Sequence, residues 1–495
     1  RAAAAAAAAG AASVAGFGDP VLFPLPIAAL AVLGWLWVRA RSWRRAALLG
    51  FAFGAGLFLA GVSWVYVSLH EFGMMPAPLA GIATLLFCLY LALFPAAVGA
   101  LQARFPAAPR TRLLLVIPAL WMLAEWLRGW LLTGFPWLAI GYSQLDGPLQ
   151  GLFPVVGVYG VGFAAAAAAG GLALAAMRER ALVATGVAAV AILAAAGLAA
   201  SRIEWTAAAG PPVTVALLQG NVPQALKFVP GRFESTLETY AQLAERSKAK
   251  LIVLPETAIP RFLNHVDPDY VDRLAAHARR NGGDILVGIP VRDAEGYYNA
   301  VVSLGTARPQ RYAKSHLVPF GEFVPPLFGW IVHVLKMPMS DFARGAAEQR
   351  PLAIAGERVA ANICYEDAFG EEIIRQLPEA TLLVNVSNVA WFGDSLAPEQ
   401  HLRISRARAL ETGRYMLRAT NTGVTAIIDD RGRVQGRLPN FTEGALEGAA
   451  QGRTGATPYV RGGNAAALAI AAGALALGAI VERRRRTADW GARSA

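Results

Sequence analysis

The amino-acid sequence predicts a polytopic α-helical membrane domain of about eight spans joined to an α/β domain outside the membrane. Three observations carry that prediction. Only 16% of the 495 residues are charged and 55% are hydrophobic, whereas about 25% are charged in an ordinary soluble chain. Apolar runs of membrane length fill the first two hundred positions. From about residue 201 to 461 the pattern changes to short strands alternating with helices.

The apolar stretches lie near 2–16, 21–38, 47–68, 79–103, 113–132, 152–176, 181–200 and 463–481, and most approach the roughly 20 residues that cross a bilayer core. The alanine-rich start, Arg1 to Gly16, joins a positive residue to a small apolar run as a signal peptide does, and the missing initiator Met points to a trimmed start. The turn Gly18-Asp19-Pro20 and the long apolar segment after it make this stretch a first span instead. The last stretch is low-complexity Ala/Leu/Gly and is closed by Arg483–Arg486, which reads as a stop-transfer cluster.

Orientation follows from the basic residues. Arg39, Arg41, Arg44 and Arg45 follow span two, Arg104, Arg110 and Arg112 follow span four, and Arg178 and Arg180 follow span six. All belong in the cytoplasm by the positive-inside rule. Counting seven spans from a cytoplasmic N-terminus then puts 201–461 on the opposite face, and the final arginine cluster returns to the cytoplasm. The expected division is a membrane domain over 1–200, a catalytic domain over 201–461, a C-terminal spanning helix over 462–482 and a cytoplasmic tail over 483–495.

Within the polar half, PVTVALLQG, KLIVLPET, DILVGIP, NAVVSLG, VAANICYED, TLLVNVSN and GVTAIIDDRG read as strands. Helical periodicity near 231–248, 268–282 and 398–413 separates them, and Asp429-Asp430-Arg431-Gly432 reads as a hairpin turn. About 260 residues are enough to bury an independent core.

Composition also excludes function classes. Cys88 lies in an apolar run and Cys364 far along in the polar half, so the two cysteines make no disulfide framework, and Cys88 reads as a small core residue. No Cys/His cluster has zinc spacing, and no P-loop or GxGxxG string follows a strand in the required context, so neither a metal nor a nucleotide cofactor is expected. The clustered arginines argue for membrane topology and against nucleic acid.

Three segments carry chemistry. Glu256 ends the apolar run 251–256, so a carboxylate stands where a buried strand opens into a loop. Cys364 likewise ends the strand containing Asn362-Ile363, and strand alternation puts Glu366 on the side of the sulfur. Lys314 opens a Pro- and Gly-punctuated loop among apolar residues, where a partly desolvated cation seeks an anion. Taken singly, a solvated strand-end acid, a buried structural thiol and a solvated lysine remain open for each.

Together the three segments resemble the nitrilase superfamily, in which Glu, Lys and Cys occur in that order at strand ends or in adjoining loops. WVYVS at 64–68, LRGWLLTGFPWL at 127–138, GYSQLDGP at 141–148, QGNVPQ at 219–224, KSHLVPFGEFVP, NVSNVAWFGDS and RATNTGVTA are similar to motifs of the apolipoprotein N-acyltransferase family, and the likeness runs over essentially the whole chain. The resemblance implies an α-β-β-α sandwich outside the membrane and a Glu256, Lys314, Cys364 triad. It also implies a two-stage reaction. By that resemblance Cys364 takes an acyl chain from a phosphatidylethanolamine-like phospholipid and passes it from a thioester to the N-terminal cysteine amine of a diacylglyceryl apolipoprotein. The implied setting is the bacterial inner membrane, multi-pass, with a monomer whose catalytic domain faces the periplasm.

Each residue type suits a task in that chemistry. A thiol with a reference pKa of about 8.5 must lose its proton to attack an ester. Glu256 is the candidate general base, and Lys314 would favour the thiolate and steady the tetrahedral oxyanion. Glu322, Tyr365 and Glu366 match family positions near the active site, and a second acid beside Glu256 is expected to raise its pKa. Phe228, Trp330, Trp391 and Phe392 are candidate acyl or lid contacts. The apolar stretch 323–339 is expected to form a lid that dips toward lipid. Glu125 and Arg128, one turn apart in span five, are expected to pair or to lie at the interface. Val389 stands where the family usually has Asp, which puts acceptor choice or loop order in question. Competing readings are a membrane-tethered nitrilase-type amidase, a transporter with an accessory domain, and a Cys-His nucleophile using His316.

Overall fold

The computed structural model describes residues 1–227, 229–324 and 341–494. The chain divides into two compact units. One comprises Arg1–Ser63, Gly81–Glu204 and Arg461–Ala495, and the other Trp64–Ala80 and Trp205–Val460. The helix expected over 47–68 spans Trp43–Gly61.

The first unit is helical because its long apolar segments leave the backbone no partner but itself in lipid. Among the described residues six helices are long and apolar enough to cross a membrane: Pro20–Val38, Trp43–Gly61, Ala77–Arg104, Gln150–Ala175, Arg180–Ala200 and Ala465–Ala488. The first apolar helical stretch, Ala2–Phe17, is shorter. A Cβ at Gly10 would meet Phe53 O at 2.0 Å, and one at Gly56 would meet Ala7 O at 2.0 Å. The alanine-rich helix and Trp43–Gly61 therefore pack backbone to backbone through these two glycines, the small-residue mode of membrane helices.

Between Pro109 and Arg128 the chain is helical with a π segment over Arg112–Val116. Glu125 and Arg128, both buried, hold the irregular loop that follows. Glu125 Oε1 accepts from Trp121 Nε1 (2.9 Å) and Ile140 N (2.8 Å), and Arg128 Nη1 donates to Phe135 O (2.5 Å) and Trp137 O (2.6 Å). Three of these four bonds thus pair backbone groups of the loop that have no helical partner where the helix stops.

The second unit is a sandwich of two six-stranded sheets. The strands of these two sheets are β1 (Val213–Gln219), β2 (Leu251–Val253), β3 (Asp284–Arg292), β4 (Tyr297–Gly305), β5 (Arg311–Ala313), β6 (Leu352–Ile354), β7 (Glu357–Ile363), β8 (Leu382–Ser387), β9 (Tyr415–Thr420), β10 (Ala426–Ile428), β11 (Val434–Arg437) and β12 (Gly444–Ala450), and Thr206–Ala208 pairs with Arg453–Gly455 in a separate two-stranded sheet. One sheet runs β12-β1-β2-β3-β4-β5 and the other β11-β10-β9-β8-β7-β6. The first packs α1 (Phe233–Arg246) and α2 (Pro268–Arg280), and the second α3 (Ala397–Thr412). The expected hairpin joins β10 to β11, with Asp429 Oδ1 accepting from Arg431 N and Arg433 N and Gly432 at φ +71°.

Strand alternation explains why these segments are apolar throughout. Val215 and Leu217 of β1 meet Val359, Ala361 and Ile363 of β7 in the core between the sheets. Ala216 and Leu218 face Leu237, Tyr240 and Ala244 of α1, and Ala360 faces Leu402 and Ala409 of α3. Each central strand is covered on both sides, which is why its sequence reads as an unbroken apolar run.

Candidate active site

Cys364 follows directly on β7, Glu256 lies three residues beyond β2, and Lys314 follows directly on β5. Each strand delivers a side chain at its C-terminal end, where the ladder stops and loops begin. The three are brought into one buried charge cluster. Lys314 Nζ lies 3.4 Å from Glu256 Oε1 and 2.8 Å from Glu322 Oε2, and Lys314 is only 1% exposed. Cys364 is half-buried at the edge of the inter-sheet core, and its ionisation is coupled to Glu256, Lys314 and Glu322.

Asn299 of β4 is the hub of the carboxylates. Its Nδ2 donates to Glu256 Oε1 (2.7 Å) and to Glu322 Oε1 (2.8 Å), while Glu256 Oε2 accepts from Asn388 N (2.8 Å). Glu322 Oε2 also accepts from Val318 N at 2.8 Å, closing its loop. Burial opposes ionisation of Glu256, but the Lys314 ammonium, the Asn299 amide, the Lys227 ammonium and the Asn388 N–H outweigh it and hold the carboxyl below the usual range. A raised pKa was expected from the second acid; the donors around Glu256 reverse that expectation.

Lys314 is held well above its ordinary value, since Glu322, Glu256 and the sulfur overcome the effect of burial. Cys364 moves upward: burial and the Glu256 carboxylate raise it, and Lys314 offsets them only in part. The resting sulfur is therefore a thiol, and Lys314 favours the thiolate without creating it. A half-buried thiol in the field of an ionised carboxylate can hand over its proton as it attacks an electrophile, when the developing oxyanion balances the transfer.

Cys364 has φ +55° and opens a short 3₁₀ turn over Cys364–Ala368. The alternation of β7 ends at Ile363, so the expectation that it places Glu366 beside the sulfur does not carry through the turn. Glu366 is buried and faces other donors. Its carboxylate accepts from Ile363 N and Ser315 N (both 2.7 Å), from His316 N, Ser315 Oγ and Tyr312 Oη (each 3.0 Å). It thereby ties the Cys364 turn to the start of the Lys314 loop. Tyr365 packs edge-on against Phe369 at 5.1 Å, and His316 stacks on Phe369 at 3.7 Å with Nδ1 3.1 Å from Glu372 Oε1. That environment gives His316 an acidic partner other than the thiol.

A second polar group holds the Cys364 turn from behind. Asn362, Asn385 and Arg418 lie in one row across β7, β8 and β9, because Asn385 is in register with both others. Asn385 Nδ2 donates to Cys364 O (3.1 Å) and Asn362 Oδ1 (2.6 Å), and Arg418 Nη1 donates to Asn385 Oδ1 (2.7 Å) and Asp367 Oδ2 (3.2 Å). His401 Nε2 lies 2.7 Å from Asp367 Oδ1 and 3.2 Å from Cys364 O. Both partners are acceptors, so Nε2 carries the proton. Burial and Arg418 together push His401 below its ordinary range, which disfavours the charged ring.

Phe228, Trp330 and residues 325–339 of the expected lid lie outside the described residues. Trp391 is 40% exposed and meets Phe72 edge-on at 5.6 Å, Phe392 meets Trp64 at 4.6 Å, and Ser68 Oγ donates to Trp391 O at 2.6 Å. The segment 64–80 therefore packs against the loop that begins at Asn388, the donor to Glu256. Val389 is 1% exposed, and its Cγ2 lies 2.0 Å from where a Cβ on Gly423 would stand. Position 389 is thus an apolar packing site in this chain.

Asn299, Asn388, Asp367, His401, Arg418 and Lys227 were not among the residues singled out from sequence. A readable signal existed for some: Asn362, Asn385 and Arg418 interrupt strands that are otherwise apolar on both faces, where a polar group requires a partner.

Residues 9–171 match the family model for the apolipoprotein N-acyltransferase N-terminal domain, and residues 208–459 match that for carbon-nitrogen hydrolase. The apolipoprotein N-acyltransferase of Nitrosomonas europaea is 52% identical over 472 residues, covering 94% of each chain. That of Methylococcus capsulatus is 47% identical over 479 residues, covering 96% of this chain and 94% of its own. Among solved structures, a CN-hydrolase superfamily protein from Xanthomonas campestris is 20% identical, with a TM-score of 0.37, and covers 49% of this chain and 91% of its own.

Proposed function

The chain belongs to the apolipoprotein N-acyltransferase family, and from that membership we propose that Cys364 carries an acyl group, as a thioester, from a phospholipid to the N-terminal cysteine amine of a diacylglyceryl lipoprotein. The observation that carries this reading is the buried cluster in which Lys314 lies against two carboxylates, Glu256 and Glu322, whose charges reach Cys364.

In the first stage Glu256 takes the thiol proton as the sulfur attacks the ester carbonyl, and Lys314 steadies the oxygen that becomes negative. Collapse of the tetrahedral intermediate breaks the ester C–O bond, and Glu256 returns the proton to the lysophospholipid oxygen. In the second stage the acceptor amine attacks the thioester carbonyl and gives its proton to Glu256. The C–S bond then breaks, and Glu256 delivers that proton to the departing sulfur, which restores the thiol. The acceptor amine has a reference pKa of about 7.7–8.0 and so offers a usable neutral fraction near neutrality. Glu322 and Asn299 keep Lys314 and Glu256 in register, and Glu366 joins the Cys364 turn to the Lys314 loop. A phosphatidylethanolamine-like donor and a monomeric enzyme complete this reading.

We further read the chain as eight spans with residues 201–461 on the periplasmic side of the inner membrane. Six helices of membrane length support this count, with Ala2–Phe17 and the helical run 109–128 as the remaining two. The arginine clusters at 39–45, 104–112, 178–180 and 483–486 favour the orientation. Trp391 and Phe392 are read as acyl contacts, in keeping with their place on the loop that begins at Asn388.

The test is intact-mass spectrometry of the purified protein after exposure to phosphatidylethanolamine in detergent micelles, comparing wild type with Cys364→Ala. One acyl mass on the wild type alone is expected. No adduct, together with hydrolysis of small amides, would instead make the protein a membrane-tethered amidase.

A further inference from the structure

Ionising Cys364 puts another negative charge into a place already crowded with them. Glu256 and Glu322 are buried carboxylates that share the Lys314 ammonium, and Glu366 is a further buried carboxyl that burial pushes above its ordinary value. The neighbouring Asp367 pairs with Arg418, whose charge also reaches the sulfur and favours its thiolate to a lesser degree than Lys314. Low local dielectric makes such an excess costly, so the thiolate and the oxyanion need a cation beyond Lys314.

Lys227 is placed to supply it. It is 3% exposed, and its Nζ donates to the main-chain carbonyl of Glu256 at 3.1 Å. The loop that carries it is pinned on two sides. Asn421 exchanges hydrogen bonds with Val222 N (3.0 Å) and Val222 O (2.8 Å), and Asn388 Nδ2 donates to Gln224 Oε1 at 2.7 Å. A lysine buried to satisfy one carbonyl is an expensive solution where a neutral donor would serve. We propose that Lys227 is a second cation of the active site, held behind Glu256 so that its charge offsets the negative charge that appears when Cys364 reacts.

The groups facing Lys227 agree with that role. Glu256 and Cys364 are the charges it feels, with Lys314 and Glu322 beyond Glu256. Burial pulls its ammonium down to about 8, and the two anions resist that fall. Lys227 is therefore charged below about pH 8 and loses its charge above it, so its support for the sulfur anion fades on the alkaline side.

The inference rests on Cys364 being the nucleophile, and the experiment reads the thiol directly so that the two claims fail separately. Iodoacetamide alkylation of Cys364 is followed by peptide mass spectrometry from pH 6 to 10 in a Cys88→Ser background, for the wild type, Lys227→Met and Lys227→Gln. Gln keeps a donor for the Glu256 carbonyl but no charge. At pH 7 both variants should alkylate on the order of 10-fold more slowly, the effect of one pKa unit of lost positive charge. The wild-type rate should rise less steeply with pH above about 8, where Lys227 discharges, and the two variants should lack that break. A Lys227→Gln protein with the wild-type rate and the wild-type break overturns the proposal and leaves Lys227 as a hydrogen-bond donor only. Loss of acyl transfer in Lys227→Gln without any change in alkylation also overturns it. Retention of the acyl adduct by Cys364→Ala would instead defeat the reading of Cys364 while leaving the alkylation result to be judged on its own.

Discussion

Replacing Asn299 with Leu, a residue of similar volume, removes the amide that joins Glu256 to Glu322 and leaves the packing of β4 nearly unchanged. Two charge-assisted bonds are lost, at 2.7 and 2.8 Å, each of a type worth about 1.5–3 kcal/mol. Asn299 Oδ1 has no partner among the described residues, so deleting it returns part of that cost. Loss of the bond to Glu256 alone should slow thioester formation at neutral pH by about 10- to 150-fold, taking 1.4 kcal/mol as tenfold. The direction of the pH effect follows from the donors. Asn299 helps keep Glu256 ionised, so its removal raises the Glu256 pKa and moves the acid limb of the rate profile to higher pH. Part of the lost rate should therefore return as the pH rises. The assay is single-turnover acylation of Cys364 from a fluorescent phospholipid, quenched in acid and read by intact mass at each pH. An acid limb in Asn299→Leu that stays in place, or moves to lower pH, would refute the claim that this amide tunes the base.

Glu366→Gln keeps the shape of a carboxylate that accepts from Ile363, Ser315, His316 and Tyr312 but turns one acceptor into a donor facing donors. Acylation should fall by more than about 10-fold through displacement of the Lys314 loop, and stopped-flow acylation with wild type in parallel checks it. Asp367→Asn leaves the Arg418 guanidinium buried without its counter-charge and should cost about 3–5 kcal/mol, read as a lower melting temperature in micelles. Asp367 is held below its ordinary pKa, because His401 and Arg418 outweigh burial. Its stabilisation is therefore complete above the unfolded value of about 3.9 and is lost as the pH falls through the lower folded value. Thermal melts between pH 3 and 7 should show wild type and Asp367→Asn converging at the acid end.

Much of this architecture was legible because its causes are local. Apolar length marks the membrane helices, and arginine clusters mark their ends. Strands covered on both faces announce themselves as unbroken apolar runs, and turn chemistry marked the hairpin at 429–432. Glu256 and Cys364 end such runs and Lys314 opens the loop after a short strand, but the three could be named together only because their segments, in that order, resemble those of a known family. What was not legible depends on registry between distant strands. Nothing near Asn299 in sequence says that its amide will meet two carboxylates 43 and 23 residues away. Likewise, the row Asn362, Asn385, Arg418 exists only once β7, β8 and β9 are aligned.

The sequence by itself determined the apolar helices and the strands, since these follow from periodicity along short stretches, while the candidate reacting groups were named through the resemblance of their segments to a family. Only the tertiary structure decided their ionisation. It surrounded Glu256 with donors so that it is a stronger acid than an isolated carboxyl, kept Cys364 protonated at rest, and buried Lys227 behind them. The physical reason is that a charge in a protein interior is set by the sum of burial and every nearby dipole and ion, and those neighbours come from all parts of the chain.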